Sequence, residues 1–289
     1  MEEPKLLVAQ GWTDYELLDS GEGVKLERWG QYVSVRPEPR AIWNKSTPEE
    51  WKKADAEYGG EEWKFRSSPP EDWVIGYGQM KFRLKPTDFK HTGVFPEQAV
   101  NWEWIKEQII SHESRSPNPK ILNLFAYTGG ATMAAAMAEA HVTHVDASRP
   151  VMMWASENCR LAGVAKEKLR WIQDDALKFV QREGLRNEKY DGIIMDPPRF
   201  GRGASGEVWK LEDHLPKLVW AAKKILSPAP LFFLINAYTA DLSSVALGNL
   251  LGDALGNTGR VECGELGLKE SLGGRILPAG IFARWSLPS

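Results

Sequence analysis

The chain has 289 residues, 43% hydrophobic and 26% charged, a composition that suits a globular protein with a sizeable core. Its net charge of −3 gives no support to non-specific nucleic-acid binding, and no apolar run approaches the roughly 20 residues that span a bilayer. Two cysteines, Cys159 and Cys263, lie far apart without metal-ligand spacing, which argues against a disulfide framework or a metal site and for a cytoplasmic protein. The acidic opening MEEPKLLVAQ lacks the apolar core of a secretory signal.

From Trp12 to about Lys85 the chain reads as short β segments broken by glycine and proline. YELLDSGEGVKLERWGQYVSVRPEP supplies two alternating runs around Gly21–Gly23, the pattern of a hairpin. WKFRSS and MKFRLKP add further strands. Ahead of them TPEEWKKADAEY predicts a capped helix, with Thr47 as N-cap, Pro48 in the first turn, and Glu49 and Glu50 at the positive end of the dipole. Many of the 13 tryptophans fall before residue 105 and read as core and cover for a small domain. Residues 1–85 are therefore expected to form a small β-rich N-terminal domain.

Residues 86–289 follow a different pattern. A helix over VNWEWIKEQIISH leads into strands at Ile121–Ala126, His141–Asp146, Leu169–Gln173, Asp191–Met195 and Leu231–Asn236. Helical stretches separate them at Ala131–Glu139, Arg149–Leu161, Ala176–Glu183 and Leu211–Leu226, and another follows around Ser243–Leu255. Nearly all-apolar strands alternating with helices predict an α/β fold with a mostly parallel sheet covered on both faces. RVECGELGL and ILPAGIFARW have no helix between them, which predicts an antiparallel C-terminal edge.

Open parallel sheets bind ligands beyond the C-terminal ends of their strands, so those ends are where chemistry is expected. The first strand runs into NLFAYTGGATMAAA, where Gly129 and Gly130 let the backbone pass close to a ligand or simply make a tight turn. Neither a phosphate-binding loop nor a dinucleotide fingerprint matches there. Asp146 ends the second strand, as a turn cap or as an acceptor for both ribose hydroxyls of a nucleoside; the other strand ends favour the ligand. Asp175, in QDDALKF, either caps the next helix or accepts the exocyclic amine of adenine, with the amide of Ala176 meeting a ring nitrogen. The fourth strand stops at Asp196-Pro197-Pro198-Arg199-Phe200, because proline cannot extend a ladder.

Taken in order, these motifs resemble the class I S-adenosylmethionine-dependent methyltransferases, and within them the bacterial 23S ribosomal-RNA group related to the large-subunit cytosine-C5 enzymes. NLFAYTGG, VDAS, QDDALKF and DPPRF are similar to that group's successive motifs, KHTGVFPEQ to its segment before the catalytic domain, and LPAGIFARW to its end. The resemblance covers residues 80 to 287. It implies a Rossmann-like sheet and S-adenosylmethionine as cofactor, with no metal. By position, Phe125, Ala126, Tyr127, Thr128 and Gly129 would line the methionine end of the cofactor. Asp146 would hold the ribose, with Ala147 and Ser148 beside the adenine, and Asp175 and Ala176 would read its edge. Asp196 would face the reacting centre, with Pro197, Pro198 and Phe200 beside it, and Thr92, Phe95 and Gln98 would close the pocket from the other side.

One departure narrows the chemistry. Where the cytosine-C5 enzymes carry a cysteine nucleophile after the fifth strand, this chain reads INAYTADLSS, with Asn236 and Tyr238. An acceptor nucleophilic enough to need no covalent adduct, such as a ring nitrogen, an exocyclic amine or an oxygen, fits better. RNA, ribosomal RNA above all, is the acceptor the resemblance implies. Lys81, Arg83, Lys85, Lys90, His91, Arg199 and Arg202 are the cations that would meet its phosphates.

Overall fold

A computed structural model of the chain describes residues 3–88, 90–113, 116–202, 208–239, 241–256 and 259–287, with the Arg202 side chain outside the described set. In chain order the elements begin with β1 (Lys5–Val8), β2 (Tyr15–Gly21), β3 (Val24–Trp29), β4 (Tyr32–Pro37) and α1 (Pro48–Trp51). Next come β5 (Ala56–Tyr58), β6 (Trp63–Phe65), β7 (Val74–Tyr77), β8 (Met80–Arg83) and α2 (Ala99–Ser111). The alternating part holds β9 (Lys120–Leu124), α3 (Gly130–Met137), β10 (His141–Asp146), α4 (Arg149–Leu161), β11 (Leu169–Gln173), α5 (Ala176–Leu185) and β12 (Gly192–Met195). Last are β13 (Phe200–Arg202), β14 (Val208–Lys210), α6 (Leu211–Lys223), β15 (Phe232–Ala237), α7 (Ser244–Leu255), β16 (Arg260–Lys269) and β17 (Ile276–Ser286). Two compact units divide the chain. One comprises Met1–Leu7, Asn101–Glu265 and Gly280–Ser289; the other comprises Val8–Val100 and Leu266–Ala279.

Alternating strands and helices build an eight-stranded sheet in the order β1-β16-β17-β15-β12-β9-β10-β11. β9 pairs in parallel with β10 and β12, β10 with β11, and β12 with β15, whereas β17 runs antiparallel to β15. This is the mostly parallel α/β sheet with an antiparallel C-terminal edge expected from the sequence. Every residue of β12 and β15 is buried, because each strand is covered on both faces. Successive side chains enter opposite layers. Ile121, Ile194, Phe232 and Leu234 pack with Ile105 and Ile109 of α2. Leu122, Leu124, Ile193, Met195 and Phe233 pack with Phe179, Leu218 and Leu251 from α5, α6 and α7. Burying each of the adjacent Phe232 and Phe233 is worth roughly 1.5–3 kcal/mol, one to each layer. Gly192 leaves the room: a Cβ there would lie 2.7 Å from Ile121 Cδ1 and 2.8 Å from the Phe232 ring.

Strand order reverses beside β9. The chain steps from β9 to β10 and β11 on one side, then returns to β12 on the other. Beneath this reversal lies a buried polar set. Asn123 Nδ2 donates to Thr132 Oγ1 (2.9 Å), and Thr132 Oγ1 meets His144 Nδ1 at 2.9 Å. His144 Nε2 is buried without a partner, which favours a lone pair there and the proton on Nδ1. Burial pushes the His144 pKa from 6.5 down to about 3, so folding excludes a proton that the unfolded chain accepts. Stability from this site is therefore complete above the unfolded pKa and falls as pH drops from 6.5 toward 3. We predict that His144→Gln removes about 2 kcal/mol of the stability lost by the wild type between neutral pH and about pH 5. Urea melts at both pH values check this, and an unchanged pH slope in the variant would refute it.

The smaller unit contains a five-stranded sheet, β2-β3-β4-β5-β6, and a β7-β8 ribbon. A buried Glu27 binds Arg36 through Nε (2.7 Å) and Nη2 (2.9 Å) and accepts from the Tyr15 hydroxyl (2.9 Å). The Arg36 and Lys25 charges and these hydrogen bonds outweigh burial and hold its carboxyl at about 2. Asp19 collects the amides of Ser46 and Thr47 and the Trp51 indole, all at 2.9 Å, while Arg275 reaches its other oxygen at 3.0 Å.

Three local expectations change. TPEEWKKADAEY is helical only over Pro48–Trp51, and Thr47 makes no side-chain cap because its hydroxyl donates to Asp19. Ala56 and Glu57 pair with Ser34 and Val35 of β4 instead, so sheet pairing overrides helix propensity. The second alternating run is split by Gly30, at φ 66°, into β3 and β4. The short strands β1, β7, β13 and β14 carry too few residues to show a period.

Candidate active site

Pairing register brings the strand ends to one level. Ile172, Val145, Leu124, Met195 and Ile235 form a continuous row across β11, β10, β9, β12 and β15. One residue further along, at the C-terminal edge, the chain places Gln173, Asp146, Phe125, Asp196 and Asn236. With neighbouring strands about 4.8 Å apart, the carboxyl-bearing Asp146 and Asp196 flank the end of β9 at about 10 Å from each other. Strand order reverses between β9 and β12, the place where open sheets leave a crevice.

The turn after β9 is strained. Phe125, Tyr127 and Gly129 all have positive φ, at 55°, 48° and 88°. Each non-glycine residue in this region costs about 1–2 kcal/mol, so the surroundings must enforce it. Ala126 N donates to Val145 O (3.1 Å), Tyr127 N to Asp146 Oδ2 (3.0 Å), and Asn158 Nδ2 to Thr128 O (3.0 Å). Ala126, Thr128 and Gly129 are buried and Phe125 and Tyr127 half-buried. Close packing then needs both glycines. A Cβ on Gly129 would come within 3.3 Å of the Ala155 Cβ, and one on Gly130 within 2.7 Å of the Trp102 ring.

Asp146 is held by the same turn. One oxygen accepts from Tyr127 N and the other from Ser148 N (2.9 Å), while burial raises its pKa against the pull of these backbone donors. The Ala147 amide is a third backbone donor to this carboxylate, which offers about four lone-pair sites in all. Ala147 is exposed and Ser148 half-buried. Asp175 caps α5, with Oδ1 accepting from Lys178 N (2.9 Å), and the following Ala176 is buried. Asp174, its neighbour, pairs with Arg182.

Beyond β12, Asp196 is half-buried, Pro197 buried and Pro198 exposed. The chain then enters the β13–β14 hairpin, in which Phe200 pairs with Lys210 and is 56% exposed. Trp209 locks the turn: its indole Nε1 donates to Pro198 O (2.7 Å) and its ring lies 5.0 Å from Phe125. Cys159 and Cys263 are both buried, and burial pushes the Cys159 thiol up to about 12. Neither cysteine belongs to the row of strand ends.

Thr92, Phe95 and Gln98 belong to the smaller unit. There Thr92 is fully buried with its hydroxyl unpartnered, Phe95 is half-buried at 5.3 Å from the His91 ring, and Gln98 is buried in a 3-10 turn. Among the cations assigned to RNA phosphates, Arg83 pairs with Asp72 (2.8 Å) and Arg199 with Asp241. Lys90 is half-buried and donates to Pro37 O (3.2 Å); burial and the Arg36 charge push His91 down to about 4. Lys81 and Lys85 are exposed.

A family model described as S-adenosylmethionine-dependent methyltransferase matches residues 55–229. The chain belongs to that family. Over its whole length this methyltransferase is similar to the crystal structure of the SAM-dependent methyltransferase from Agrobacterium tumefaciens. The two are 42% identical with a TM-score of 0.93, over 99% of this chain and 95% of that one. Its relation to the ribosomal RNA large subunit methyltransferases K/L is more distant. It is 33% identical over 150 residues to the protein of Shewanella frigidimarina, and 33% over 176 residues to that of Shewanella loihica. These alignments take in 51% and 59% of this methyltransferase but only 20% and 23% of those proteins, about a fifth of their length. SMU.776, complexed with SAH, superposes with a TM-score of 0.73 at 18% identity over 96% of this chain and 76% of that one, a likeness of fold alone. Among the described residues no helix is long and apolar enough to cross a membrane.

Three features of the site were not visible in the sequence motifs. Left-handed Phe125 and Tyr127 carry side chains that do not advertise that conformation. Trp209 reaches Pro198 from a hairpin without periodicity, and Asn101 meets Asn236 across 135 residues. Only Asn236, the lone polar residue of the apolar strand β15, gave a signal.

Proposed function

We propose that this methyltransferase moves a methyl group from S-adenosylmethionine to a nitrogen of RNA, ribosomal RNA being favoured. The observation that carries the reading is the level of strand ends with Asp146 and Asp196 on either side of the strained Phe125–Gly129 turn. The cofactor supplies a methyl group on a sulfonium, already activated for displacement. The protein's part is then chiefly orientation, which can contribute up to about 7–11 kcal/mol to such a reaction.

Asp146 takes the ribose hydroxyls with the acceptor capacity that its backbone partners leave. Ala147 and Ser148 lie beside the adenine, Asp175 and Ala176 read its edge, and the backbone of Phe125 to Gly129 follows the methionine end. Asp196 and the carbonyl of Pro197 orient the acceptor amine, because the carbonyl of Pro198 is already taken by Trp209. Exposed Phe200 stacks on the target base, an interaction worth roughly 1–3 kcal/mol in single-strand binders. Two buried, protonated thiols outside the row favour a nitrogen over a pyrimidine carbon, which would need a thiolate adduct. Distant kinship with the K/L ribosomal-RNA enzymes supports RNA as the acceptor.

The ion pairs that occupy Arg83 and Arg199 favour a second reading, a small-molecule or protein acceptor. Tritium transfer from labelled S-adenosylmethionine separates the two. Label should enter ribosomal RNA from a strain lacking the protein; label entering only RNA-free extract would select the second reading.

A further inference from the structure

A buried cation fixes the polarity of Asn236. Arg284, on β17, is 4% exposed, and its guanidinium lies 4.9 Å from the Trp104 ring and 4.5 Å from Phe282. Its polar partner is Asn101, whose Oδ1 accepts from Nε at 3.0 Å and also from Nη2. Guanidinium has donors only, so the Asn101 atom facing it must be oxygen. The other end of that amide is then the NH2 group, and it donates to Asn236 Oδ1 at 2.6 Å. The Asn236 atom facing Asn101 must in turn be oxygen, which leaves the Asn236 NH2 as the group directed elsewhere. Asn101 and Asn236 are 1% and 2% exposed, so neither amide can flip without stranding a donor against a donor.

Asn236 stands in the row of strand ends directly beside Asp196, one residue past the Met195–Ile235 pair. Residues two apart in a strand share a face, so Asn236 lies on the layer of Leu234, and Asp196 follows Ile194 by two, just past the end of β12. With neighbouring strands about 4.8 Å apart, an acceptor just past β12 thus stands beside a donor one residue before the end of β15.

We infer that Asn236 is a substrate-positioning residue, held by Arg284 through Asn101 as a hydrogen-bond donor, and that it reads the lone pair next to the methylated amine on a nucleobase edge. The substrate is then an exocyclic amine on a carbon that also bears a ring nitrogen. Asp196 accepts from the amine and Asn236 Nδ2 donates to the ring nitrogen. An aliphatic amine or a hydroxyl lacks the second group. This inference rests on the nitrogen-methylating reading of the site and adds which edge is read.

Asn101→Asp tests it without touching the row of strand ends. The new carboxylate neutralises Arg284 and offers only oxygen to Asn236, which must turn its amide and direct oxygen toward the substrate. The variant is expected to melt at a higher temperature and to bind S-adenosylhomocysteine within about twofold of wild type. Tritium transfer from S-adenosylmethionine into RNA from a strain lacking the protein should nevertheless fall by at least about tenfold. Asn236→Asp, isosteric but presenting oxygen, should show the same loss with cofactor affinity kept. Wild-type transfer by Asn101→Asp overturns the inference. So does a lower melting temperature, which would show that Asn101 does not give its oxygen to Arg284, or a parallel loss of S-adenosylhomocysteine binding. Transfer confined to protein overturns the nucleobase edge. A wild-type protein that labels no fraction overturns the function itself and the inference with it, a result distinct from failure of the variants alone.

Discussion

Asp196→Ala is expected to slow methyl transfer in a single turnover by about 100-fold or more, with S-adenosylhomocysteine affinity changed far less. Transfer from a sulfonium demands that the nucleophile lie in line with the breaking bond, and a misplacement near 1 Å costs about that factor. Asp196 sits where a fully buried strand ends, and the two prolines after it have fixed φ angles. Trp209, bonded to Pro198 O, keeps the turn from relaxing into the space that alanine would leave. The lost rate should therefore report on orientation of the acceptor rather than on collapse of the loop. Rapid-quench measurement with saturating labelled cofactor checks it, and an unimpaired rate would remove Asp196 from the reacting centre.

The second large effect concerns the cofactor. Asp146→Ala should weaken S-adenosylhomocysteine binding on the order of 100-fold, since hydrogen bonds to a charged acceptor are worth about 1.5–3 kcal/mol each. The same substitution strands the amides of Tyr127 and Ser148, so it should also lower stability by roughly 1–3 kcal/mol. Asp146→Asn separates the two effects, because its single oxygen serves one backbone donor and its NH2 opposes the other. Its affinity should fall between wild type and alanine. Calorimetry on protein shown to be folded by circular dichroism decides the matter; equal affinity in all three proteins would end the ribose assignment.

Much of the sheet was legible because its strands are long, apolar and separated by helices. His141–Asp146, Leu169–Gln173 and the helix Arg149–Leu161 have the boundaries that the pattern predicts. Reading the residue after each strand then led to Asp146 and Asp196, because polar residues stand out against buried strands. What could not be read is what depends on distant partners. The helix expected through Lys52 and Lys53 stops at Trp51, because Asp19 takes Thr47 and β4 takes Ala56. Asp175 had two roles open from its position; the structure shows Oδ1 capping α5, and the adenine contact stands beside it as part of the proposal. Arg284 and Asn101 are separated by 183 residues, and nothing local in ILPAGIFARW marks the arginine as buried. Arg199 looked like a free cation until folding brought Asp241 beside it.

Mass spectrometry of ribosomal RNA from a strain lacking this protein measures the proposed function most directly. One nucleoside methylated on nitrogen should disappear, and should return on expression of the wild type but not of Asp196→Ala. An unchanged set of methylated nucleosides, or the loss of a pyrimidine methylated at C5, would contradict it.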